Sequence, residues 1–137
     1  MPSQSLERAM VLTALMLDTH IVVALFEGKT AGLSAKTLRL FDQLPTTISP
    51  AVVLELEMLF EIKRIKRRAD GIVSYLQNQL SVGVAQERFS DIVRLATDMS
   101  FTRDPFDRLI TAHAKLTKAK LVTLDQNIHL HFDAAID

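Results

Sequence analysis

Cysteine is absent from the 137-residue sequence, and opposite charges balance, with 16 acidic and 16 basic side chains. The lack of cysteine excludes a disulfide scaffold, a cysteine-ligated zinc site and a thiol nucleophile, and it fits a reducing compartment. The lack of net charge excludes a general electrostatic attraction to nucleic acid. Any contact with nucleic acid must therefore be local.

Glycine and proline are also sparse, with four residues of each, and there are no repeats or low-complexity tracts. Nothing predicts a domain boundary, so residues 1–137 are expected to form one domain, with residues 1–10 as an N-terminal extension. The apolar run that ends at residue 17 is shorter than the roughly 20 residues that cross a bilayer. Because the N-terminus also lacks the basic region of a signal peptide, we expect a soluble, cytoplasmic protein.

Short apolar runs alternate with helical patterns along the chain. Strands are predicted by two strong and two weaker runs, residues 11–17, 120–125, 46–49 and 81–85. Helices are predicted by capping residues and apolar periodicity over residues 34–44, 50–67, 70–80, 86–99 and from 104 onward. This alternation predicts an α/β domain built around a parallel sheet with right-handed crossovers.

Aspartates close the two strong strands. Asp18 follows the first run and Asp125 follows the last. The carboxyl ends of parallel strands share one edge of a sheet, and ligands bind beyond that edge. Each aspartate is also a common turn former and helix N-cap, so for either residue alone a structural role and a ligand-binding role remain open. The binding role gains support if further carboxylates point to the same edge.

Glu55 interrupts the apolar face of its predicted helix. At about 100° per residue it falls between Leu59 and Ile62, outside the polar stripe that holds Glu57 and Glu61. An ionised carboxylate on an apolar face is costly unless it is paired or binds a cation. We therefore expect Glu55 to be engaged, and Glu57 and Glu61 to be solvated.

The segment RDPFDRLITAHAK contains two further acids at the start of a predicted helix. Asp104, Pro105 and Asp107 fit the N-cap, first and third helical positions, where the helix dipole favours both carboxylates. The same geometry can aim Asp107 toward the aspartates that close the strands. Three or four crowded carboxylates call for a divalent cation, and oxygen ligands without cysteine favour Mg²⁺ or Mn²⁺ over Zn²⁺.

One local basic run, KRIKRR at residues 63–68, is a candidate contact for nucleic acid. Its basic side chains are Lys63, Arg64, Lys66, Arg67 and Arg68. They can complement the C-terminus of the predicted helix and stay solvated, or they can contact RNA phosphates. The sequence leaves both interpretations open.

Four short segments occur in a fixed order along the chain: LDTH (17–20), SPAVVLE (49–55), DPFDRLITAHA (104–114) and LVTLD (121–125). In order and spacing they resemble the PIN-domain ribonucleases, especially the VapC-type toxins of toxin–antitoxin pairs, over about residues 16–132. The resemblance implies a three-layer α/β/α sandwich with a mainly parallel central sheet. It also implies hydrolysis of RNA phosphodiester bonds with Mg²⁺ or Mn²⁺ as the cofactor.

The resemblance assigns roles to individual acids. The family's catalytic metal ligands map onto Asp18, Glu55, Asp107 and Asp125. Supporting roles fall to Asp104, Thr19 and Thr123. The chain departs from the family pattern at Leu54, where a tryptophan is common, and at Leu124, where a basic residue is common. Neither departure removes a ligand, and the second concerns substrate handling.

The resemblance also implies partners. We expect an RNA substrate, a cognate antitoxin that covers the acidic site, and a homodimer. Leu54, Met58 and Ile65 are apolar on the side of their helix away from the core face. They give a physical reason to expect a buried partner surface.

The four histidines are expected to serve structure. His113 lies on the apolar side of its helix, which predicts a packed, hydrogen-bonded side chain. His20 follows the first strand-closing aspartate and, by resemblance, orients that loop. His129 and His131 are two residues apart and make only a weak metal signature.

Two other classes of function remain as alternatives. A PIN-like module could bind RNA or a protein without turnover. A phosphatase with Asp18 as nucleophile is the weaker alternative, because such enzymes need a second aspartate two residues later, where this chain has His20.

Overall fold

The computed structural model describes residues 14–137, so residues 1–10 and the first part of the predicted first strand, residues 11–13, lie outside it. The strands are β1 (Leu15–Leu17), β2 (Thr46–Ile48), β3 (Gly83–Val84), β4 (Lys120–Val122) and β5 (Ala135–Ile136). The helices are α1 (Thr19–Glu27), α2 (Ala35–Gln43), α3 (Pro50–Glu61), α4 (Ala69–Leu80), α5 (Phe89–Ala96), α6 (Pro105–Thr117) and α7 (Gln126–His131). None of these helices has the length and apolar character needed to traverse a bilayer.

The five strands form one sheet in the order β3-β2-β1-β4-β5, and each neighbouring pair is parallel. Leu15 of β1 pairs with Thr46 on one side and with Lys120 on the other. The prediction of an α/β domain around a parallel sheet is therefore confirmed. β5 is not predicted from the sequence, because two residues are too few to show an alternating pattern.

The central strand β1 is buried on both faces of the sheet. Leu15, Met16 and Leu17 are at most 1% exposed, and successive side chains of a strand point to opposite faces. Helices must therefore cover the sheet on both sides, as parallel sheets require. A second, smaller cluster of Ile92, Ala96 and Ala112 packs α5 against α6.

The strand order creates a crevice at the carboxyl edge of the sheet. From β1 the chain builds β2 and β3 on one side, and it then returns to build β4 and β5 on the other. The direction of winding thus reverses between β1 and β4, and α/β proteins bind ligands at such a reversal. Asp18 follows β1 directly, and Asp125 lies three residues after the last residue of β4.

Helix α3 ends at Glu61, and the prediction that it continues to residue 67 is wrong. Lys63 adopts a left-handed backbone with φ of 63°, a conformation that interrupts a right-handed helix. The Arg64 amide turns back to the Leu59 carbonyl at 2.8 Å. The basic segment (residues 63–68) is therefore the turn between α3 and α4.

Other boundaries also differ from the prediction. The helix predicted over residues 86–99 begins only at Phe89 and ends at Ala96. Residues 86–88 form a loop instead, in which Glu87 contacts a buried histidine. α1 and α7 are not predicted, because the first has little polar contrast along its apolar sequence and the second has only six residues.

Candidate active site

Asp18 is held at the carboxyl end of β1 by hydrogen bonds to both of its carboxylate oxygens. As the N-cap of α1, its Oδ1 accepts from the Thr19 amide at 2.8 Å. Its Oδ2 accepts from the Thr123 hydroxyl at 2.6 Å. Asp18 is only 5% exposed, and this burial raises its pKa although the two hydrogen bonds and the charge of His20 lower it. Asp18 therefore caps α1 and is also buried at the edge of the sheet where ligands bind in α/β proteins.

Glu55 reaches from α3 toward the same point. It is half-buried, and its Oε1 accepts a hydrogen bond from the Thr19 hydroxyl. Burial raises the pKa of Glu55, the Thr19 hydroxyl lowers it, and the charges of Asp18 and Asp104 raise it further. The prediction that Glu55 is engaged is therefore confirmed. Thr19 links the helix that follows Asp18 to the carboxylate on α3.

Asp104 and Asp107 occupy the helical positions predicted for them. Asp104 is the N-cap of α6, and its Oδ1 accepts from the amides of Phe106 at 2.8 Å and Asp107 at 3.1 Å. Pro105 is the first helical residue, and Asp107 lies in the first turn. The cap therefore fixes the start of the helix that presents the Asp107 carboxylate.

Asp125 is the N-cap of α7. Its Oδ1 accepts from the Ile128 amide at 3.1 Å, and its own amide donates to the Thr123 hydroxyl at 3.1 Å. The Thr123 hydroxyl therefore touches both strand-closing aspartates. His129 Nε2 lies 2.7 Å from the Thr123 carbonyl, which fixes Nε2 as the donor and holds the loop.

These five acids form one cluster, the acidic crevice (Asp18, Glu55, Asp104, Asp107 and Asp125). Asp107 shows this most clearly, because its pKa is raised from 3.8 to about 7. Burial is the largest cause, and repulsion from Asp104, Asp18, Asp125 and Glu55 supplies the rest. A carboxyl group surrounded in this way resists ionisation unless a positive charge is present.

The donor set of the acidic crevice suits a hard divalent cation, because it consists of carboxylate and hydroxyl oxygens. Over residues 14–137, however, no three acidic or histidine side chains converge into a closed cage for an ion. Mg²⁺ commonly keeps several waters in proteins and needs only one or two carboxylates. The oxygen chemistry of the acids therefore fits a hard divalent cation.

Three of the four histidines make structural contacts, namely His113, His129 and His131. His113 is fully buried, and both of its ring nitrogens have partners, which confirms the prediction of a packed, hydrogen-bonded side chain. His131 Nδ1 contacts the Asn127 carbonyl at 2.9 Å, and its ring stacks on Phe101 with centroids 5.2 Å apart. His129 holds a backbone carbonyl, so the last two histidines have separate structural contacts.

In the basic segment, Arg68 is tied down. Its guanidinium bonds to Glu57 Oε2 through Nη2 at 2.9 Å and through Nε at 3.1 Å, and it lies over the Phe60 ring. Glu57 Oε1 also accepts from the Ala69 amide at the start of α4. The prediction that Glu57 is solvated is therefore wrong, because this acid closes the turn between two helices. Lys63, Arg64, Lys66 and Arg67 are exposed or partly exposed and form no ion pair with residues 14–137.

Sequence reasoning missed two groups near the crevice. Arg108 Nε donates to the Thr102 carbonyl at 2.7 Å and ties the preceding loop to α6. His113 contacts Ser49 and Glu87, which lie 64 and 26 residues away in the chain. The Arg108 contact spans only six residues but matches no capping or turn pattern, and the His113 contacts join segments that meet only in the folded chain.

The parallel sheet and the carboxylates at its winding reversal define an α/β protein with an acidic site. A family model for the PIN domain matches residues 15–132. The chain therefore belongs to the PIN domain family. A comparison with curated proteins gives no significant match.

Solved structures share this fold. A chain of VapBC2 from Rickettsia felis, crystallised with a promoter DNA fragment, is 20% identical with a TM-score of 0.63 and covers 90% of this chain and 96% of its own. A toxin–antitoxin complex from Klebsiella pneumoniae gives 16% identity, a TM-score of 0.61 and the same coverage. FitAcB from Neisseria gonorrhoeae is 18% identical with a TM-score of 0.50, and the match covers 89% of this chain and 95% of the FitAcB chain. At these identities the likeness shows a common fold.

Proposed function

We propose that the protein is a divalent-metal-dependent endoribonuclease of the VapC type, the toxin of a toxin–antitoxin pair. The observation that carries the proposal is the acidic crevice, in which four carboxylates and burial raise the pKa of Asp107 to about 7. Membership of the PIN domain family supports nuclease chemistry. The toxin–antitoxin complexes among proteins of the same fold support the biological role.

In this proposal Asp18, Glu55, Asp107 and Asp125 hold Mg²⁺ or Mn²⁺. When bound, the ion supplies the positive charge that polarises a phosphodiester and eases hydrolysis. The ion would also relieve the repulsion from neighbouring acids that raises the pKa of Asp107, so its binding should favour the ionised form of this carboxyl group.

The residues around the acids prepare the crevice for this role. The Thr123 and Thr19 hydroxyls donate to Asp18 and Glu55 and fix the carboxylates that they touch. Asp104 caps α6 and so aims Asp107. In the metal-free protein, Asp107 gains or loses a proton near neutral pH, whereas an exposed aspartate is fully ionised there.

Incubation of the purified protein with RNA, followed by sequencing of the new RNA ends, tests the proposal. We expect cleavage with Mg²⁺ or Mn²⁺ and none with a chelator. Asp18→Asn is the matched control, because asparagine retains an oxygen that can accept from the Thr19 amide and so preserves the cap. Cleavage that persists in both the chelator and the variant would refute the metal-dependent mechanism.

A second candidate function is an RNA- or protein-binding PIN module without turnover. The open arrangement of the acids within residues 14–137 favours it, because no three ligands already enclose an ion. Retained RNA affinity without hydrolysis, together with an Mn²⁺-soaked crystal that shows no ion among the acids, would establish this function instead.

The partner proposals rest on an apolar surface of α3. Leu54 is 58% exposed and Met58 is 44% exposed. Ile62, at 62%, continues their stripe in place of the predicted Ile65, which packs against the core. We propose that a second copy of the chain or the antitoxin covers this stripe, since contiguous exposed apolar surface marks an interaction site. The mass of the purified protein in solution, alone and with its antitoxin, distinguishes the two.

A further inference from the structure

A polar bridge built on a buried histidine joins α6 to the segments that follow β2 and β3. His113 on α6 is fully buried, with Nδ1 2.8 Å from the Ser49 hydroxyl and Nε2 2.7 Å from Glu87 Oε1. Ser49 lies between β2 and α3, and Glu87 lies between β3 and α5. These three residues, the histidine bridge, lie outside the set of acids proposed to bind metal.

Both ring nitrogens of His113 have a hydrogen-bond partner in the bridge. Glu87 offers a carboxylate oxygen, so Nε2 carries the proton and donates to it. Nδ1 is then an acceptor, and the Ser49 hydroxyl donates to it. The Ser49 oxygen also accepts from the Ala51 amide at 3.2 Å and caps α3. The ring orientation of His113 is thereby fixed from both sides.

The bridge connects the two helices that present acids to the crevice. Ser49 caps α3 six residues before Glu55, and His113 lies six residues after Asp107 on α6. The Ser49–His113 bond is therefore a direct polar link between the helix that presents Glu55 and the helix that presents Asp107.

A surface pocket of about 320 Å³ lies beside the bridge, lined by Ser49, Glu87 and apolar residues of α3, α5 and α6. Two of these apolar residues, Leu54 and Phe89, are exposed, so the pocket opens to solvent. Beside such an opening fewer side chains pack between the helices, and the hydrogen bonds of the bridge add a directional restraint on their relative position.

We propose that His113 is a positioning residue, which sets the separation of Glu55 and Asp107 through Ser49 and Glu87. This inference rests on the proposed function of the acidic crevice. A displacement of about 1 Å in a catalytic group can reduce the rate by about 100-fold. Loss of the bridge should therefore act on the chemical step and on metal affinity before it acts on RNA binding.

Two substitutions distinguish the effect of the hydrogen bonds from the effect of the space that the His113 side chain fills. His113→Leu removes both bonds, whereas glutamine in His113→Gln keeps one donor and one acceptor. For His113→Leu we expect Mn²⁺ affinity, measured by calorimetry without RNA, and kcat to fall about 10- to 100-fold. KM should change by less than about threefold, since a change confined to the chemical step leaves substrate binding intact. His113→Gln should recover most of both losses.

Leu76→Ala is the control for destabilisation, because Leu76 is fully buried in α4 and distant in sequence from the bridge and the acids. Equal losses of kcat and Mn²⁺ affinity in Leu76→Ala and His113→Leu would overturn the proposal, as would wild-type values in a folded His113→Leu. If His113→Leu does not fold, Glu87→Met removes the acceptor of the Nε2 hydrogen bond at an exposed position. An unchanged kcat in that variant would equally overturn the proposal.

Failure of the nuclease proposal can be told apart from failure of this one. A wild-type protein that binds Mn²⁺ and leaves RNA intact refutes the nuclease but still reports the bridge through Mn²⁺ affinity. If the wild type binds no Mn²⁺, crystal structures of the variants decide. The Glu55 and Asp107 carboxylates should move relative to each other in His113→Leu and keep their separation in His113→Gln, and an unchanged separation in both overturns the inference.

Discussion

The acidic crevice and the basic segment are two concentrations of like charge in the folded protein, and they differ in how they arise. The acids come from four separate parts of the chain, and burial together with the charges of neighbouring acids raises the pKa of Asp18, Glu55 and Asp107. The basic residues lie within one six-residue turn and are all exposed, and Arg68 is the one among them that forms an ion pair within residues 14–137. Burial and convergence, rather than the number of charges, therefore identify the site where a counter-charge matters.

The largest expected effect is the loss of RNA cleavage in Asp107→Asn. The substitution removes the charge of the acid with the most perturbed pKa and leaves the N-cap at Asp104 intact. We expect kcat to fall about 100-fold or more, as is typical when a metal site loses a ligand or its support. Single-turnover cleavage of a labelled RNA measures it.

Asp104→Asn provides the comparison for Asp107→Asn, because asparagine is as good an N-cap as aspartate. It should lose much less activity. If Asp104→Asn abolishes cleavage while Asp107→Asn leaves it largely intact, then the assignment of the inner and outer acids is reversed.

The second effect concerns the hydroxyl that supports two acids. Thr123→Val removes the donor to Asp18 Oδ2 and the acceptor of the Asp125 amide, without a large change of shape. A buried group left without its partner costs about 1–3 kcal/mol, so denaturant titration should show a loss of that order. Thr123→Ser keeps the hydroxyl and should be much closer to wild type. Equal losses in the two variants would show that the methyl group, not the hydrogen bonds, matters.

The positions of the acids could be predicted because each obeys a local rule. Asp18 and Asp125 close strands, Asp104 precedes Pro105, and Glu55 breaks an apolar periodicity. The parallel sheet could be predicted in the same way, because short apolar runs alternate with helical patterns along the chain. Such signals lie within a few residues of one another and survive without knowledge of the tertiary structure.

The contacts that hold the acids in place could not be predicted. The Thr19 hydroxyl meets Glu55 across 36 residues, and the Thr123 hydroxyl meets Asp18 across 105. The same limit explains why the end of α3 is predicted too late. Helical periodicity continues in the sequence, but the Glu57 carboxylate accepts from the Ala69 amide and stabilises a turn instead. Tertiary hydrogen bonds of this kind override local propensity and leave no pattern in the sequence.

A third, smaller effect tests whether the acids repel one another in the folded protein. The folded-state pKa of Asp107, about 7, lies above its ordinary value of 3.8. The folded protein therefore binds more protons than the unfolded chain between these values, and this residue makes stability fall as pH rises from about 4 to 7. Without metal, Asp107→Asn should raise Tm by about 2–4 °C at pH 8.

The same Asp107→Asn variant serves as its own control at low pH. At pH 5 the wild-type carboxyl group is protonated in the folded state, and the pH is only about one unit above the ordinary value of 3.8, so the gain in Tm should fall to less than half of its value at pH 8. Saturating Mn²⁺ should reverse the order at pH 8, because a ligand that binds the folded state stabilises only the protein that retains the site. An equal gain at both pH values would show that charge repulsion is not its cause.

The smallest effect is expected at the basic segment. Lys63, Arg64, Lys66 and Arg67 are exposed and form no ion pair within residues 14–137, whereas Arg68 is held by Glu57. Replacing these four residues by glutamine should raise KM a few-fold and leave kcat nearly unchanged, because a phosphate contact away from the crevice adds binding without chemistry. Each lost contact should also reduce the slope of log affinity against log salt by about 0.7. Arg68→Gln should leave the slope unchanged, since that guanidinium already has a partner; an unchanged slope in the fourfold variant would identify the whole segment as a solvated turn.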